Sequence, residues 1–102
     1  MLDIPASVRA ARARPVKPRS ADLLHVDAVT SAEPGAFMRV LDLVRVHGGT
    51  PVVIDFRRRG ISARLALRID GLAGDGARLA DRLRATVGVR AARAWRPPDG
   101  AE

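Results

Sequence analysis

The stretch "ISARLALRID", residues 61–70, alternates without a break. Ile61, Ala63, Leu65, Leu67 and Ile69 are apolar, and Ser62, Arg64, Ala66, Arg68 and Asp70 fall between them. Successive side chains of a β-strand point to opposite faces, so this run reads as a strand with one face in a core and the other toward water. Such a strand needs neighbours and a layer over its apolar face. The rest of the chain has to supply both.

The flanking segments do so in a readable order. "LLHVDAVT", 23–30, is apolar at Leu24, Val26 and Ala28 with His25 and Asp27 between, a second period-two strand. "EPGAFMRVLDLVRVHGG", 33–49, places Phe37, Val40, Leu41 and Val44 on one helical face, which predicts a helix over 34–47. Pro34 suits its first turn, and Gly48 suits the left-handed residue past its end. "PVVIDF", 51–56, is a β-branched apolar run and reads as a buried strand, and "RRRG", 57–60, reads as a hairpin turn with Gly60 at positive φ. "GLAGDG", 71–76, is a loop whose Asp75 can cap a helix beginning just after it. "ARLADRLRATV", 77–87, aligns Leu79, Leu83 and Val87 on one helical face, and "GVRAARAW", 88–95, is a last, alanine-rich strand. The order β-α-β-β-α-β predicts an α+β fold: the ferredoxin-like βαββαβ sandwich, a four-stranded antiparallel sheet with two helices on one face. The other sheet face must then be polar, covered by another chain, or occupied by a ligand.

A chain of 102 residues, 47% of them hydrophobic, holds one small domain, expected over 21–96. The Arg-, Ala- and Pro-rich 1–20 reads as a basic disordered tail, and 97–102 as a frayed end. Net charge is +7, of which the five basic residues and one acid in 1–20 account for +4. Lysine is one of the 18 basic residues, a bias that points to GC-rich codon usage and weakens basic clusters as functional signals. There is no cysteine, hence no disulfide framework or thiolate metal site, in keeping with a cytoplasmic protein. No apolar run at the N-terminus has the length of a signal peptide or membrane span.

Catalytic patterns do not emerge. The two histidines, His25 and His47, are read as structural, the latter suiting the negative end of a helix. No His/Glu helical pair, phosphate loop or nucleophile elbow occurs, and "GLAGDG" lacks the lysine of a phosphate loop. RNA-recognition domains of this fold carry stacking aromatics on their two central strands. Here "LLHVDAVT" and "SARLALRID" contain none, and the aromatics are Phe37, Phe56 and Trp95. The expectation is therefore a non-enzymatic protein without metal or cofactor.

Gly35 stands out, because glycine in the first turn of a helix is a poor helix former. A helix N-terminus presents unpaired N–H groups and partial positive charge, and a glycine lets a carboxylate come close to them. The segment "AEPGAFMRVLDLVRVHGGTPV" resembles the ACT domain family. The likeness lies in a strand, Pro34-Gly35, an apolar residue two places on (Phe37), an amphipathic helix, and Gly48 before the second strand. It extends over about 23–95, through the hairpin and the "RLADRLRATVGV" ending. Where many members carry an Asp three positions before the glycine this chain has Ala32, and where many carry an Asn at the start of the second strand it has Thr50.

The resemblance implies a dimeric regulatory domain that binds an amino acid effector near Gly35, Ala36, Phe37 and Thr50. Within the family, "RVLDLVRVHGG" is similar to short, single-domain regulatory subunits of acetolactate synthase. The implied partner is that enzyme's catalytic large subunit, in branched-chain amino acid biosynthesis, and any cofactor would belong to it. A freestanding amino-acid sensor is the alternative within the family. A basic nucleic-acid-associated protein is the alternative outside it. Self-association is expected through the second sheet face and edges, with Ala28, Ala66 and Ala94 allowing close approach.

Overall fold

The computed structural model describes residues 22–98. Along the chain come β1 (Leu24–Ser31), α1 (Pro34–Val46), β2 (Thr50–Arg59), β3 (Ser62–Asp70), α2 (Ala77–Arg84) and β4 (Val89–Trp95). The strands form one antiparallel sheet in the order β2-β3-β1-β4. This is the expected ferredoxin-like arrangement. The expected tail over 1–20 lies outside the described residues, as do the last four residues.

Alternation decides what is buried. Leu24, Val26 and Ala28 on β1 and Ala63, Leu65, Leu67 and Ile69 on β3 are at most 2% exposed. Val40 and Val44 of α1 and Leu79 and Leu83 of α2 close over them in one core. Fully burying each such side chain contributes about 1.5–3 kcal/mol. Helix α1 starts at Pro34, with Glu33 extended before it and contributing no side-chain cap. It ends as the N–H groups of His47 and Gly49 bond the carbonyls of Leu43 and Val44, with Gly48 at φ +90°. Asp75 accepts the Ala77 N–H at 3.0 Å, in keeping with its position before α2.

Four expectations are corrected. The stretch 51–56 is a strand, but it is not buried: residues 52–60 are all exposed. β2 is an end strand of the sheet, and α1 reaches it at Phe37 against Phe56 without covering Ile54 and Phe56 fully. Arg57, Arg58 and Arg59 belong to β2, not to a turn, and the hairpin reverses at Gly60 and Ile61, with Gly60 at φ +57°. Ile61 sits in that turn, 78% exposed, and so leaves the buried row that the alternation assigns it to. Helix α2 stops at Arg84, where Thr86 turns its N–H to the Leu83 carbonyl and its hydroxyl to the Arg82 carbonyl. That strands Val87 at the surface, 74% exposed.

One side chain from outside the loop after β3 bonds two of its carbonyls. Arg96, just past β4, donates to the carbonyls of Gly74, Asp22 and Leu72. One planar guanidinium thereby ties the start of β1, the loop over 71–76 and the chain end together. Arg96→Ala should lower unfolding free energy by about 1–3 kcal/mol. Urea denaturation measures that loss, and amide exchange should localise the opening to residues 71–76.

Candidate functional site

The four residues expected to form an effector site fall in different surroundings. Gly35 is exposed in the first turn of α1. Its φ is not positive, and a Cβ built on it would meet only the Arg39 guanidinium, at 3.4 Å. The backbone therefore does not require glycine there. Ala36 is fully buried, its methyl group against Gly88. Phe37 is half-buried, with its ring 5.0 Å from that of Phe56. Thr50 is exposed and pairs with Asp70 at the other end of α1. Thirteen helical residues span about 20 Å. A single copy thus brings Gly35, Ala36 and Phe37 together and leaves Thr50 apart.

Beside the start of α1 lies an open hollow lined by Ser31, Glu33, Pro34, Arg58, Gly60 and Arg90, among others. The Ser31 hydroxyl is buried and has no hydrogen-bond partner among the described residues. Arg58 reaches the Gly60 carbonyl at 3.5 Å, and Arg90 the Ser62 hydroxyl at 2.6 Å. Arg39 braces the helix start from behind, donating to the Val87 carbonyl at 3.1 Å and lying 3.7 Å from Glu33. Two guanidinium groups, a buried hydroxyl and the first-turn N–H groups suit a carboxylate, and Glu33 suits an ammonium group. Sequence reasoning missed Ser31, Arg58 and Arg90. Extending the period-two rule through 57–60 would have put Arg58 on the helix-facing side.

The second feature is the edge of the sheet. β2 hydrogen-bonds to β3 on one side and has no strand partner on the other among the described residues. Its Val52, Val53, Ile54 and Phe56 are 40–48% exposed. Ile54 and Phe56 share the helix-facing side with Leu67 and Leu65, their register partners. Phe37 of α1 reaches Phe56, and the helix layer leaves both residues partly exposed.

The sheet's open face is polar. Register places Asp55, Ala66, Asp27 and Arg93 in one row across β2, β3, β1 and β4, and Arg57, Arg64, Val29 and Ala91 in the next. Arg93 lies 3.4 Å from Asp27 and stacks 4.5 Å over the Trp95 ring. His25 is buried beside Trp95, ring centroids 5.4 Å apart, while the Nδ1 of His47 lies 3.0 Å from the Leu43 carbonyl. Of the small residues expected to admit a partner, Ala28 and Ala94 point to the helix side, and Ala66 alone of the three is on the open face. Among the described residues no cluster of three or more His, Cys, Asp or Glu could hold a metal, and no helix is long and apolar enough to cross a membrane.

No protein-family model matches the chain, and no curated protein does either. A solved structure does resemble it: the C-terminal domain of the MgtC protein from Mycobacterium tuberculosis, determined in solution. The two superpose with a TM-score of 0.61 over 85% of this chain and 100% of that one, at 19% identity. The likeness is one of fold.

Proposed function

We propose that this protein is a non-catalytic regulatory module that pairs with a second copy, binds an amino acid at the junction, and acts on a larger catalytic chain. The observation that carries the reading is the unpaired, apolar edge of β2. An exposed edge strand offers a row of N–H and C=O groups to another chain; Pro51, the irregularity beside it and Arg57–Arg59 blunt the two ends of this one, and the stretch 52–56 between them is left open. Two β2 strands meeting antiparallel, with Phe56 opposite Phe56, set Asp55 of each copy against Arg57 of the other. In that register Thr50 of one copy runs out toward the Gly60 turn of the second, on the side of the hollow that Arg58 lines. The site that one copy leaves open is completed by two.

The partner suggested by the sequence resemblance is the catalytic chain of acetolactate synthase, and the effector a branched-chain amino acid. Melting the full-length protein with valine, leucine or isoleucine tests this. Ligand at about 100 times its dissociation constant stabilises a one-site protein by about 2.7 kcal/mol. The melting temperature should rise with ligand, and Arg58→Ala should stay folded and abolish the rise. Purified acetolactate synthase large subunit should co-elute with the wild type. No shift with any amino acid, together with no co-elution, would sink the reading. A shift without co-elution would favour a freestanding sensor.

A further inference from the structure

The open sheet face breaks a rule of strand pairing. Arg64 of β3 is the direct register partner of Arg57 of β2, and like charges directly opposite destabilise a sheet. The nearby acids relieve this only in part. Arg57 reaches Asp55 at 3.3 Å, but Arg64 is 4.0 Å from Asp27, which it shares with Arg93. Three guanidinium groups thus divide two carboxylates. Arg59, one step along the same face, adds a further positive charge, and its side chain has no ion pair among the described residues. Three shallow hollows open on this face, and Arg64 lines every one. Between the charges the floor is small and apolar, made by Val29, Ala66 and Ala91.

We infer that this face, centred on Arg64, docks a carboxylate-bearing protein surface; identifying that surface with the catalytic chain rests on the regulatory reading above. Charge complementarity selects the occupant. A nucleic acid backbone carries one sign throughout and would meet Asp27 and Asp55 at the centre of the face. A protein surface can answer both signs and bury the apolar floor. Its acidic side chains would occupy the place beside Arg59 and Arg64 that the chain's own acids leave unfilled.

The test uses the full chain, so that the basic N-terminal segment is common to every arm. A fluorescein-labelled peptide of mixed sign, EEKAEEKA, is titrated at low salt against the wild type, Arg59→Ser/Arg64→Ser, and the control Arg78→Ser/Arg82→Ser. Arg78 and Arg82 are exposed on α2, so the control removes equal charge from the helix side. The expected result is at least a tenfold weaker peptide complex for the face variant and less than twofold change for the control. Equal loss in both variants would mean general charge attraction and overturn the proposal. A labelled fifteen-residue oligo-dT that binds more tightly than the peptide and loses more on the face substitution would overturn it in favour of nucleic acid. Purified acetolactate synthase large subunit is run as a separate arm. If it fails to bind the wild type while the peptide result holds, the identification of the partner with that enzyme fails and the docking face stands.

Discussion

Gly76→Ala should cost this domain about 2–5 kcal/mol, enough to drop its melting temperature by more than about 10 °C. Gly76 has φ +79°, a conformation that L side chains rarely adopt. The added Cβ would sit 2.8 Å from the Ala94 Cβ and 2.8 Å from a Leu24 methyl carbon. Ala94 is fixed on β4 and Leu24 is fully buried, so neither can withdraw cheaply. Strain and overpacking therefore add. Gly35→Ala provides the contrast, since its Cβ meets only the movable end of Arg39 and alanine is the better helix former. It should leave the melting temperature unchanged or raise it. Calorimetry of the two variants side by side checks both expectations, and a large loss at Gly35 would show a packing role that the geometry does not contain.

Phe56→Glu should convert a dimer into a monomer across the micromolar range, weakening self-association by roughly a hundredfold or about 2.7 kcal/mol. The substitution puts a charge where the proposed pairing sets two apolar rings together. Phe56 also touches Phe37 within its own chain, so a second variant separates the effects. Val53 lies on the open face of the edge strand, away from the helices, and Val53→Lys is the device natural sheets use to blunt an edge. Both variants should sediment as monomers with circular dichroism unchanged. Because the chain has no cysteine, Phe56→Cys gives a direct test of register. Paired strands hold opposing Cα atoms about 4.5–5.5 Å apart, within the span a disulfide bridges. Mild oxidation should join two copies through residue 56 and not through Ile61→Cys. A wild type that sediments as a monomer would remove the β2 edge from the functional reading.

The order of elements, the buried rows of β1 and β3, and the helix stop at Gly48 were all legible along the chain. Each comes from a local rule: period two, period 3.6, and the ease with which glycine takes positive φ. The alternation over 61–70 implied a strand with one buried face under a covering layer; its place between β2 and β1 came from the sheet. What the residues of β2 do was not legible. "PVVIDF" has the composition of a buried strand, and composition does not record where a helix layer ends. Only the assembled sheet puts β2 at an edge, where Phe37 of α1 reaches Phe56 and still leaves Ile54 and Phe56 partly exposed.

The same division holds for the candidate site. Gly35 was visible as an oddity of helix propensity, but its space proved to belong to Arg39. Glycines that the fold depends on include Gly76 and Gly88, whose missing Cβ atoms let Leu24, Ala94 and Ala36 close in, as that of Gly49 does for Ile69. No pattern within either segment announces that, because the atoms they would strike are supplied from elsewhere in the chain. Arg58 and Arg90 likewise meet at one hollow through the register of strands far apart in sequence. Which residues alternate and which coil was legible along the chain, apart from the ends of β2 and α2, since those are contacts between near neighbours. Only the folded chain shows which charges share a face, which glycines leave no room for a side chain and which strands stand at the sheet's edges, because those are distances between residues that local rules never compare.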